Sequence, residues 1–192
     1  VCAAYLARAG QKVLVLERRA ELGGPCGTFE FMPGYRCAIT NSPGSLEPRV
    51  VRELELERHG LRFLQTDPTL VHAFPGRPFI GWRDRAKVAQ QLDAFAPGEA
   101  ARQADLLADL ERLARSMGVS LFAAPRGLTA IARNIPPEQT RLFEQVFMGS
   151  LRELLEQRLR SEEARALLGM VALNATFAPP SAPGTAIGLM LR

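Results

Sequence analysis

The residues best suited to chemistry lie in one stretch, VLVLERRAELGGPCGT, at positions 13–28. Glu17 follows a short apolar run. A carboxylate in that position can accept hydrogen bonds from the hydroxyls of an adenosine ribose, and its charge repels the extra phosphate of NADP. Gly23 and Gly24 follow shortly. Without a Cβ, such a pair lets the backbone pass close to a ligand. Together they suit the adenosine half of a dinucleotide. Neither a Ser/His/Asp arrangement nor a metal-ligand constellation appears, so the sequence names no catalytic acid or base and no metal site.

These residues need particular elements to hold them. Val13, Leu14, Val15 and Leu16 read as a parallel strand buried on both faces, with Glu17 at its carboxyl end. Val1–Ala9 reads as a helix whose Ala3, Ala4 and Ala7 allow close packing on a sheet, and Gly10 closes it. In a complete βαβ unit a strand and a G-x-G-x-x-G turn precede such a helix, and the amides of the turn hold the pyrophosphate. The sequence opens inside or near the helix, so that turn is not in it. An ordinary αβ pair ending in a solvated acid is the plainer reading. The glycine pair at this distance favours a nucleotide.

The pattern VLVLERRAELGG with Thr28 resembles the flavoproteins of the phytoene desaturase and amine oxidase superfamily, most nearly their phytoene dehydrogenase-related branch. There a glycine pair follows the ribose acid in the pattern R-x-G-G-R-x-x-[ST]. The chain matches at Gly23, Gly24 and Thr28 and departs at Glu21 and Pro25, where many members carry arginine. Arginine contacts to the flavin pyrophosphate are therefore not carried over from those two positions. The resemblance implies an FAD-dependent dehydrogenase or desaturase acting on a hydrophobic organic substrate, with Glu17, Arg18, Gly23, Gly24 and Thr28 at the cofactor. It implies an α/β fold, with a partial Rossmann-like FAD-binding domain over 1–63 and a partial α+β substrate-domain insertion over 64–192. It covers the amino-terminal half of a full-length member without its first strand. The expectation is an incomplete fragment, inactive alone and holding FAD weakly. Ala38 falls where many members carry an acid, and Thr40, Asn41 and Ser42 either touch flavin or substrate or cap the next helix. Two other readings stand beside this one: a non-catalytic binding protein that keeps the fold, and an NAD(P)-binding oxidoreductase subunit, because Glu17 suits either dinucleotide.

Composition bounds the alternatives. The 192 residues are 47% hydrophobic and 23% charged, a globular balance, with formal charge +4. The arginines are scattered among leucines and glutamates along helices, a solvated face, and nucleic acid is set aside as a partner. No apolar run approaches the roughly 20 residues of a membrane span. Cys2, Cys26 and Cys37 are odd in number and lack C-x-x-C spacing, which indicates reduced thiols in a cytoplasmic protein. Cys26 lies in the glycine loop, where a flavin could come close, and is expected first as a small buried thiol.

Along the rest of the chain, strands are expected at 28–32 and 35–39 around Pro33-Gly34, and a helix over Ser45–His59 with Ser45 as N-cap and Gly60 as its end. Strands at 61–64, 69–74 and 78–82, the last two joined by Pro75-Gly76-Arg77, mark a domain crossing. Phe79 and Trp82 read as core or as the lining of a substrate pocket. Asp84 caps a helical stretch running to Met117 and broken near Pro97-Gly98. Amphipathic helices follow at 140–149 and 151–168, with Ser150 and Ser161 as turn starters. Such helices pack on their own domain or dock peripherally on lipid. The proline-rich run 179–185 is expected to end regular structure.

Overall fold

The computed structural model describes residues 1–38, 46–120, 122–174 and 176–190. It divides into two compact units, Val1–Gln65 and Thr66–Arg192. Helices and two separate two-stranded antiparallel sheets make up the described residues, a mixture consistent with an α/β chain.

In the first unit, α1 (Cys2–Arg8) ends as its glycine requires. Gly10 takes φ 77°, and its N–H bonds the carbonyl of Ala7 while Gln11 N–H bonds that of Leu6. That paired closure needs a left-handed residue, which glycine enters without steric cost. Helix α2 (Pro48–Glu53) is shorter than the expected Ser45–His59. Its N-cap is Glu47, whose side chain accepts from Arg49 N–H, and Pro48 occupies the first turn. Ser45 lies outside the described residues. The helix stops early because Glu55 adopts φ 52° and closes it by the same bond pattern, Glu55 N–H to Arg52 and Leu56 N–H to Val51. Gly60, at φ 90°, then closes only a further turn, with Leu61 N–H on the Leu56 carbonyl. Residues 61–64 form no strand. One carboxylate ties α1 to α2: Glu53 accepts from Tyr5 Oη at 2.6 Å and from Arg49 Nε at 2.5 Å.

Strands β1 (Thr28–Met32) and β2 (Tyr35–Ala38) pair antiparallel around Pro33-Gly34, with Gly34 at φ 80°. The expected buried strand at Val13–Leu16 does not form. Residues 11–17 carry no strand, and Leu14 and Leu16 are 81% and 85% exposed. A parallel strand is defined by bonds to its neighbours, and among the described residues none pairs with this run. Four apolar side chains then have no layer to bury against.

The second unit opens with the expected hairpin, β3 (Val71–Phe74) and β4 (Arg77–Ile80). The turn is confined to Pro75-Gly76, Arg77 already belonging to the strand. The outer edge of β4 is closed by the Gln91 amide, which accepts from Ile80 N–H and donates to Ile80 O, both at 2.8 Å. Phe79 is buried in the core. Trp82 is half-buried with the Lys87 ammonium 5.1 Å over its ring.

Asp84 caps α3 (Arg85–Phe95) by accepting from the N–H groups of Ala86 and Lys87. Helix α4 (Glu99–Met117) lies between two left-handed glycines, Gly98 and Gly118. Leu106, Leu110, Leu113 and Met117 fall on one helical face, and all are buried. Each leucine so buried contributes roughly 1.5–3 kcal/mol. They meet α6 (Thr140–Phe147), α7 (Leu151–Arg158) and α8 (Glu162–Leu173) in one core, with the short α5 (Leu128–Ala132) at its margin. The sequence run 151–168 is two helices, because Ser150 closes a capping box with Glu153 and Ser161 caps α8 through Ala164 N–H. The proline-rich run does not end the order. Arg152 N–H bonds Pro180 O and Gly184 N–H bonds Gly149 O, and a 3-10 turn, Thr185–Met190, follows with Ala186 and Leu189 in the core. Proline there removes donors the segment does not use, while its carbonyls still accept.

One polar group is fully buried in this core. The Glu99 carboxylate accepts from Arg160 N–H at 3.0 and 3.1 Å, and from Ser161 N–H and Oγ at 2.9 Å each. It joins the first turn of α4 to the start of α8. Among the described residues no helix is long and apolar enough to cross a membrane.

Two outcomes follow from these ties. Glu99→Ala strands the buried Ser161 N–H and hydroxyl and the part-buried Arg160 N–H, and should destabilise the chain by about 2–4 kcal/mol in urea unfolding. Glu99→Gln should recover only part of that loss, since an amide turns donors towards donors. In the first unit, hydrogen bonds from Tyr5 and then Arg49 hold the Glu53 carboxyl below its ordinary 4.5, and the same Glu53 bond holds the Tyr5 hydroxyl above its ordinary 10.0. The α1–α2 tie therefore stabilises above pH 4.5 and is lost as pH falls through the lowered Glu53 value. It also stabilises below pH 10.0 and is lost as pH rises through the raised Tyr5 value. Amide exchange in α1 should accelerate at both extremes, and Tyr5→Phe, which removes the α1 side of the tie, should abolish both limbs.

Candidate functional site

The glycine stretch forms a built loop. Gly23 and Gly24 both take positive φ, 126° and 54°. Residues Gly24–Cys26 make one 3-10 turn, with Cys26 N–H on Gly23 O and Gly27 N–H on Gly24 O, each at 3.1 Å. The two glycines serve different ends. A Cβ on Gly23 would stand 3.1 Å from Gly27 Cα, so the loop itself requires glycine there. A Cβ on Gly24 would meet nothing within 4 Å. Its Cα faces open space, and a ligand group can come against the backbone.

Beside it lies a concavity of about 140 Å³, lined by Arg19, Glu21, Leu22, Gly24, Gly27, Thr28 and Phe29. Of the sequence-derived candidates the structure brings Gly24 and Thr28 together at this concavity, whereas Glu17, Arg18 and Gly23 are not on its wall. Glu17 ends the irregular run 11–17 and is exposed, with Oε1 accepting from Arg19 N–H at 2.9 Å. A carboxylate has about four acceptor positions, so the pair of oxygens retains room for a ribose diol. Cys26 is exposed, contrary to the buried thiol expected, because it ends a 3-10 turn whose neighbours Leu22, Gly23 and Thr28 are themselves exposed. Thr40, Asn41 and Ser42 lie outside the described residues, and Ala38 ends β2.

Gly27, Arg19 and Phe29 were missed as site residues. Gly27 had a signal, a third glycine three positions beyond the pair, where a Cβ would stand 3.2 Å from Gly24 O. Phe29 had none, since nothing in an alternating strand distinguishes a side chain bordering a cavity. The residues fit a ribose or phosphoryl group: open Cα, hydroxyl, carboxylate and guanidinium lie close in sequence around one bend. The volume is below the roughly 300 Å³ at which small-molecule sites begin, so it suits one part of a dinucleotide.

Comparison with known proteins places this stretch. Residues 1–43 match the family described as an NAD(P)-binding Rossmann-like domain. Over nearly its whole length the chain is similar to two curated proteins, each named pyridine nucleotide-disulfide oxidoreductase domain-containing protein 2. The mouse protein (Mus musculus) is 26% identical over 220 aligned residues, covering 99% of this chain and 38% of that protein. The rat protein (Rattus norvegicus) is 25% identical over 219, again covering 99% and 38%. The chain thus spans 38% of the length of the curated relatives it matches. No solved structure matches it. These likenesses support a Rossmann-like, NAD(P)-binding amino-terminal region and an oxidoreductase relationship. They do not carry the narrower phytoene dehydrogenase-related branch.

The loop geometry fixes an order of tolerance. Gly23→Ala should cost about 2–3 kcal/mol of loop stability, through both strain and the Gly27 contact, and Gly24→Ala only about 1 kcal/mol. Amide exchange at Cys26 and Gly27 in the two variants reads the difference.

Proposed function

We propose that the chain is part of an FAD-dependent oxidoreductase acting on a hydrophobic organic substrate. The observation carrying this reading is the loop after Glu17, where Gly24 is left-handed with open space over its Cα, inside the stretch that matches a Rossmann-like domain. In this reading Glu17 holds the adenosine ribose hydroxyls. Gly23 and Gly24 let the cofactor approach the backbone, and Arg18 and Thr28 donate to its polar groups. When bound, FAD supplies a hydride acceptor. Residues 1–63 serve the cofactor and 64–192 the substrate, and the protein works in the cytoplasm. One observation favours a nicotinamide instead: the matched family is described as NAD(P)-binding.

Titration of FAD against the 192-residue chain, followed by flavin fluorescence with NADH and NADPH as competitors, tests both. Saturable quenching is expected, with weak affinity. Glu17→Ala should weaken it about tenfold, or ~1.4 kcal/mol, with an unchanged circular dichroism spectrum. NADPH should compete worst, since Glu17 opposes a 2′-phosphate. Displacement of FAD by NADH at equal or lower concentration would establish the nicotinamide reading. Quenching that Glu17→Ala leaves unchanged would remove Glu17 from the site.

A further inference from the structure

The unit Thr66–Arg192 carries an open groove of about 740 Å³ between α7 and α8. The volume falls within the roughly 300–1,000 Å³ of small-molecule sites. Its floor contains a glycine the fold does not require. Gly169 sits inside α8, where glycine is among the least favourable residues. A Cβ there would meet only Leu155 Cδ1, at 4.0 Å, an ordinary contact. Gly188 shows the opposite case: its Cβ would stand 2.2 Å from Ala172 O, so packing demands glycine. At Gly169 the missing side chain does nothing for packing and keeps the groove deep.

The groove is apolar in its middle and polar towards both ends, where Glu162 and Arg165 at the start of α8 face the link and Glu156 lies between. Leu155 and Leu173 line it, and Met170, 45% exposed, adds an adaptable thioether. Arg152 and Asn174 also line it. They lie in the first turn of α7 and at the C-cap of α8, the ends of the two helices away from the short Leu159–Ser161 link. The Arg152 guanidinium makes no hydrogen bond or ion pair among the described residues, Glu156 one turn later included. An unpaired planar fork beside an amide donor suits a carboxylate.

We propose that this groove binds a medium-chain aliphatic carboxylate, its tail over Gly169 and its head on Arg152 and Asn174. Helices of 8 and 12 residues, at about 1.5 Å per residue, give a trough roughly 12–18 Å long, room for a chain of about ten to twelve carbons. None of these residues belongs to the stretch 1–43 or to the nucleotide candidates. The inference goes beyond the flavin reading, and its failure would leave that reading intact.

Calorimetric titration of the 192-residue chain with laurate below its micellar concentration, and with dodecanol as the uncharged arm, tests the assignment. One-to-one binding of laurate is expected, with dodecanol at least tenfold weaker. Arg152→Gln should weaken laurate at least tenfold and leave dodecanol unchanged. Gly169→Leu should abolish binding of both while Tm holds or rises, because leucine is the better helix former, which separates a filled groove from a damaged fold. Absence of laurate binding, or binding that both variants leave unchanged, would overturn the site. Dodecanol binding as tightly as laurate would overturn the carboxylate class.

Discussion

The second unit depends on a carboxylate placed where only the complete packing arrangement satisfies it. Glu99 is fully buried, yet it lies at the amino end of α4, where the helix dipole favours negative charge. It accepts from two backbone N–H groups and a hydroxyl at the start of α8. Burial of a charge is costly unless its lone pairs are filled, so the carboxylate tolerates one relative placement of α4 and α8 and few others. The leucines of α4 supply stabilisation without direction, whereas Glu99 supplies register.

The carboxyl-terminal run completes the same core by backbone contact. Thr185 is buried, its Oγ1 accepting from Leu151 N–H and donating to Ala182 O. The antiparallel bridge Ser150–Pro183 lies beside it. The capping box of α7 and the proline-rich run therefore brace one another. Gly188 then lets the following turn close onto the α8 backbone, which a Cβ would prevent. A segment that composition alone marks as a breaker is held by the few donors and acceptors proline leaves free.

The first unit is organised differently. Its apolar run 13–16 is exposed, and what order it has comes from helix closures and the Glu53 tie. Yet this is the region that matches a Rossmann-like domain. The two facts agree physically. The match reports residue types suited to a layered sheet, and among the described residues no strand pairs with the run. A helix satisfies its own backbone, so α1 forms where the strand beside it in sequence does not.

What the sequence determined by itself was local. Gly10, Asp84, Ser150 and Ser161 stop or start helices through bonds made within a few residues. Pro33-Gly34 and Pro75-Gly76 turn hairpins, and Gly23-Gly24 bends a loop whose cradle is legible in the absence of side chains. Long-range placement was not legible. Val13–Leu16 has the composition of a buried strand, but a strand exists only through its partner. Glu55 has no chemical reason to be left-handed apart from the closure it completes. The order after Pro183 depends on donors more than thirty residues away, as in the Leu151 N–H to Thr185 bond. Hydrogen bonds between neighbours are encoded by adjacent residue types, whereas those that cross the core are encoded only by the packed whole.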